Sequence, residues 1–116
     1  MVNMSVRTST LSGGVALVVA EGSFVGMDKV NELRDAVSRV VSSENPRLII
    51  DLSNVTYLSS MAIGELIRAH ITYARRNWEF RISGIKDQVY TIFEITKLTR
   101  VLNIHDTLNH AEQSFR

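Results

Sequence analysis

A short apolar run, Leu48-Ile49-Ile50, leads through Asp51-Leu52-Ser53-Asn54-Val55-Thr56-Tyr57-Leu58 to a pair of serines, Ser59 and Ser60. Beyond them apolar side chains recur at Ile63, Leu66, Ile67, Ile71 and Ala74. The run reads as a buried strand, and the later spacing as one face of a helix. A buried strand that passes straight into an amphipathic helix is an α/β signature. It also puts two hydroxyls at a special place. The first N–H groups of a helix have no partner within it, and the helix dipole favours negative charge there. A serine at this junction can cap the helix, which is worth about 1 kcal/mol. A phosphate carried by it would add roughly −1.5 to −2 charges beside the same donors.

The rest of the chain fits around this junction. Val2, Met4 and Val6 alternate with polar residues, so Val2 to Thr8 reads as a short edge strand. Leu11-Ser12-Gly13-Gly14 is a turn, and Val15-Ala16-Leu17-Val18-Val19-Ala20 is apolar throughout, as in a strand covered on both faces. So short a connection predicts antiparallel neighbours. Glu21 to Gly26 reads as a loop. Met27, Val30, Leu33, Val37, Val40 and Val41 then mark a helix that ends before Pro46. The helix after the serines runs to about Arg75-Arg76, with Asn77 as a left-handed cap. Trp78 to Ile82 alternates as a strand, and Val89, Ile92 and Phe93 mark a helix opening at Lys86-Asp87-Gln88. Val101 to Ile104 reads as a strand, and Asp106 as the N-cap of a last helix carrying Leu108, Ala111 and Phe115. The expected order is β-β-α-β-α-β-α-β-α: a mixed sheet of about five strands with helices packed on it.

With 116 residues, no repeats and no linker, the expected organisation is one domain over 1–116. An apolar content of 45% argues against disorder, and a net charge of +1 gives nucleic acid or an anionic membrane no hold. There is no cysteine, hence no disulfide, thiolate chemistry or Cys-based metal site. No apolar run approaches the roughly 20 residues that cross a bilayer. Nothing at the N-terminus reads as a signal peptide, so a cytoplasmic location is expected. His70, His105 and His110 lack metal-ligand spacing. No nucleophile elbow, phosphate-binding glycine loop or base for Ser60 is present. The expectation is a protein that is not an enzyme and needs no cofactor.

The junction resembles the STAS domain of bacterial anti-sigma factor antagonists. In that family the strand is followed by an aromatic-hydrophobic pair, Asp, Ser, a second hydroxyl residue, Gly, Leu and Gly. Here Tyr57-Leu58 match the pair, Ser60 the first serine, and Ile63-Gly64 the closing Leu-Gly. Ser59 stands where Asp is usual, Met61 where the second hydroxyl is, and Ala62 where the first Gly is. The segment Ile92-Phe93-Glu94-Ile95-Thr96-Lys97-Leu98, followed by Leu102-Asn103-Ile104, is similar to the family's ending. The resemblance implies a STAS fold and a role as anti-sigma factor antagonist. Ser60 would accept a phosphate from a serine kinase that doubles as the anti-sigma factor, with Ser59 the secondary site and a phosphatase a further partner. Ser59, Ser60, Met61, Ala62, Ile63 and Gly64 would form the partner-binding surface, or the three apolar ones would pack inward. The departures support an alternative: a STAS scaffold that takes no phosphate, within a signalling or membrane-transport assembly.

Overall fold

The computed structural model describes residues 5–115. In chain order these form β1 (Val6–Thr10), β2 (Ala16–Phe24), α1 (Met27–Ser42), β3 (Arg47–Leu58) and α2 (Ser60–Arg75). There follow β4 (Glu79–Ser83), α3 (Asp87–Ile95), a 3₁₀ turn at Leu98–Arg100, β5 (Ile104–His105) and α4 (Leu108–Gln113). The expected order of strands and helices is the observed one. The sheet runs β1-β2-β3-β4-β5, with β1 antiparallel to β2 and the other pairs parallel. All three parallel connections step the same way along the sheet, so right-handed crossovers put α1, α2 and α3 on one face.

That face holds the larger core. Ala16, Val18 and Ala20 of β2 meet Leu48, Ile50 and Leu52 of β3, Val30 and Leu33 of α1, and Leu66 and Tyr73 of α2. The opposite face carries Val15, Leu17 and Ile49 under Ala111 and Phe115. β2 is therefore covered on both sides, as its unbroken apolar run requires. Arg81 completes the smaller layer, with its guanidinium 4.6 Å from the Phe115 ring and its Nε donating to Ser114 Oγ at 3.0 Å.

Several expectations are corrected. The first strand is Val6–Thr10; Val2 and Met4 lie outside the described residues. The loop expected from Glu21 is strand as far as Phe24, whose ring is fully buried and which pairs with Leu58. Register shifts between Val19 and Glu21 and between Gly22 and Ser23 interrupt the alternation that would have revealed this. In α1, Met27 is exposed rather than part of the core face. In α2 the buried face is Ala62, Leu66, Ala69 and Tyr73, while Ile71 and Ala74 face solvent. Val101 to Asn103 is not strand: Lys97 is left-handed (φ 61°), the chain makes its 3₁₀ turn, and only Ile104 and His105 pair with β4. Thr107 caps α4, not Asp106, because its Oγ1 reaches the His110 N–H three residues on (3.1 Å). Asn77 is left-handed (φ 57°) after Arg76, as expected.

β2 and β3 are longer than their neighbours. β3 pairs with β4 only from Arg47 to Asp51, and its pairing with β2 continues to Leu58. Past Asp51 the two strands thus project together, and Ser59-Ser60 follow directly from this ribbon.

Candidate functional site

At the end of β3 the two serines take different roles. Ser59 is extended (φ −69°, ψ 166°) and is the N-cap of α2. Its Oγ accepts from the Ala62 N–H at 3.2 Å, its carbonyl accepts from Ile63 N–H at 3.0 Å, and its own N–H donates to the Phe24 carbonyl at 3.0 Å. Ser59 is therefore tied to both the helix and the end of β2, and is half-buried. Ser60 is the first residue of the helix and is exposed. The cap belongs to Ser59, which leaves the Ser60 hydroxyl without a structural duty. No acidic residue stands in the first turn of α2, so the free N–H groups there meet no side-chain anion. Replacing Ser59 with Ala is expected to cost about 1 kcal/mol of stability, or roughly 4 °C in Tm. A melting curve identical to that of the unaltered protein would refute the cap's contribution.

The residues that follow divide by exposure. Met61 is 54% exposed, Ala62 is fully buried, Ile63 is half-buried against the core, and Gly64 is exposed. Within this apolar trio, Ala62 packs inward and Met61 points to solvent. A Cβ added at Gly64 would meet nothing within 4 Å. No neighbour in the chain requires a glycine there, although glycine inside a helix costs about 1 kcal/mol relative to alanine.

Three residues beside the junction were not among the partner-binding residues expected from sequence. Val25 (62% exposed), Tyr57 (41%) and Met27 add apolar surface at the same end of the sheet, since Phe24 and Leu58 are paired there. Val25 is an apolar residue beside Gly26 in the stretch read as a loop, and that is the sequence signal that could have found it.

The other candidates stay apart from this end. Burial, helped by the Arg81 guanidinium and then His110, lowers the His105 pKa, and His105 Nε2 is buried without a hydrogen-bond partner. Among the described residues no group of three or more His, Cys, Asp or Glu side chains could hold a metal, and no helix is long and apolar enough to cross a membrane. Arg76 stacks on Trp78, 4.9 Å from the ring centroid, at the far end of α2.

Comparison with known proteins gives a consistent result. The family model described as STAS domain matches residues 12–111. An anti-sigma-B factor antagonist of Listeria monocytogenes is 29% identical over 73 residues, which cover 63% of this chain and 64% of that protein's length. An anti-sigma factor antagonist from Mycobacterium paratuberculosis superposes with a TM-score of 0.82 at 23% identity, covering 94% of this chain and 91% of the other. The Bacillus cell fate determinant SpoIIAA in its phosphorylated form superposes with a TM-score of 0.75 at 11% identity, over 96% and 99% of the two chains.

Proposed function

Because the chain belongs to the STAS domain family, we propose that residues 1–116 are one such domain acting as an anti-sigma factor antagonist. It binds an anti-sigma factor that is also a serine kinase, and phosphorylation of Ser60 ends the binding. The observation that carries this reading is the division of labour at the junction: Ser59 holds the helix end, and Ser60 stands exposed at its first residue. A phosphate on Ser60 meets free helix N–H groups and need not disturb the fold. It alters instead what the exposed side chains of Val25, Tyr57 and Met61 can dock against. The relatives' names support the class of partner: the Listeria protein is named for antagonising an anti-sigma-B factor.

Gly64 gives independent support. A helical glycine with open space around it among the described residues lowers stability, and a partner that approaches the helix backbone closely accounts for it. Gly64→Ala is expected to raise stability by about 1 kcal/mol and to weaken partner binding about ten-fold. Unchanged affinity in the stabilised variant would remove Gly64 from the interface.

The direct test is to incubate the protein with ATP and the anti-sigma factor kinase of its own organism, then map the product by mass spectrometry. One phosphate is expected, on Ser60, and absent from Ser60→Ala. A phosphate on Ser59 would keep the mechanism and move the site by one residue. If a kinase active on a control substrate modifies neither, the scaffold reading takes over, which the Ser59 in place of the family's Asp favours.

A further inference from the structure

We propose that the uncovered edge of β3, residues 54–58, is a second docking surface, which takes an extended polar polypeptide segment of a partner protein as an added strand. Bare strand edges are usually short or blocked. β3 is central from Arg47 to Asp51, where β4 pairs with it; Gly84, just past β4, still lies against Ser53, and from Asn54 on β2 is its one strand neighbour among the described residues. At about 3.3 Å per residue the bare edge, Asn54 to Leu58, runs roughly 17 Å. Main-chain groups of a strand that face away from its one neighbour have no ladder partner. Among the described residues no main-chain hydrogen bond joins 54–58 to the segment 84–95 that passes beside it.

A groove lies along this edge, with a volume of about 590 Å³. Ser53, Asn54, Val55 and Thr56 form one wall, and Lys86, Asp87 and Gln88 at the start of α3 form the other. The form of the groove selects its occupant. A row of unpaired amides and carbonyls at strand spacing is matched by another extended backbone, not by a compact small molecule, which would need an enclosed apolar pocket. One lysine and one aspartate stand together among neutral polar groups, so a segment of mixed polar residues fits better than a strongly acidic or basic one.

The edge is also held ready. Asp51 Oδ1 accepts from Ser53 Oγ and from Ser83 Oγ, each at 2.8 Å, and locks β3 to the end of β4 where the bare edge starts. A rigid edge loses little freedom when a strand adds to it. The edge stops at Leu58, so a partner seated at Ser60 lies next to it. The inference goes beyond the phosphorylation reading and does not depend on it.

The test uses the full chain and a phage-displayed library of random linear peptides. Enriched peptides are expected to slow amide exchange within residues 54–58. The double variant Asn54→Lys/Thr56→Lys, which places strand-repelling lysines at two exposed edge positions, is expected to bind them about ten-fold more weakly. Ser60→Asp should leave that binding within about two-fold, which separates this surface from the switch. No enrichment, or protection that maps elsewhere, would overturn the proposal. So would a concentration-dependent dimer protected at 54–58, because the edge would then serve a second copy of this chain. Should the double variant fail to fold, the exchange map on the unaltered protein decides.

Discussion

Ser60→Asp is expected to weaken binding to the proposed anti-sigma factor kinase by at least about 100-fold, close to 2.7 kcal/mol, while Ser60→Ala binds within about three-fold of the unaltered protein. The argument rests on where the charge falls. Ser60 is exposed and flanked by Met61, with Val25 and Tyr57 at the same end of the sheet, so a partner covering these apolar groups strips water from residue 60. A hydroxyl loses little when covered, but a carboxylate without a cationic partner loses its hydration or meets a like charge, and either costs several kcal/mol. A phosphate, carrying up to twice the charge, acts more strongly in the same direction. The free protein behaves oppositely. A negative charge in the first turn of α2 interacts favourably with the helix dipole by about 0.3–1 kcal/mol, so Ser60→Asp should melt no lower than the unaltered protein. Lost affinity together with undiminished stability is the signature of a switch. Calorimetric titration and thermal melting of the same samples test both halves, and an aspartate variant that binds normally would refute the switch.

The junction was legible in sequence because two periodicities meet there: a strand too apolar to be exposed and a helix with one apolar face. β2 was legible for the same reason. What escaped notice follows from local geometry. The serine pair could not be assigned, since either hydroxyl can cap a helix; the backbone decides, and it is extended at Ser59. The lengths of β2 and β3 were hidden by their register shifts, which break the alternation along both strands and hid the buried position of Phe24. The helical period found α2 but misplaced its face by part of a turn. Apolar Ile71 faces solvent, and Glu65, buried with only a 3.6 Å contact to Arg68, sits on the inner side. The bare edge of β3 had no sequence signal, because it arises from β4 stopping five residues after it starts.

Gly84→Ala is expected to be the most destabilising of the glycine-to-alanine changes, at about 3 kcal/mol. Gly84 has φ +80°, where a side chain is strained by about 1 kcal/mol or more. Its N–H donates to the His105 carbonyl at 3.0 Å, so the backbone cannot relax without loosening β5. A Cβ there would stand 2.1 Å from Ser53 Oγ and 3.0 Å from both Asp51 Oδ1 and the Ser53 Cα. The Ser53 hydroxyl would have to leave Asp51, a buried acid whose Oδ1 accepts from two serines, and a hydrogen bond to a charged group is worth about 1.5–3 kcal/mol. At roughly 4–8 °C per kcal/mol for a domain near this size, Tm should fall by 12 °C or more. Gly13→Ala is the control, since a Cβ there meets nothing within 4 Å, and it should change stability by less than about 0.5 kcal/mol. Urea denaturation of both variants checks the difference, and a Gly84→Ala protein within about 1 kcal/mol of the original would overturn the account. Pairing it with Ser53→Ala removes the atom in closest conflict. The double variant should therefore lose less than the two single losses added together, as directly contacting residues do. That coupling would tie the knot of Asp51, Ser53 and Ser83 to the place where β3 leaves β4 and its bare edge begins.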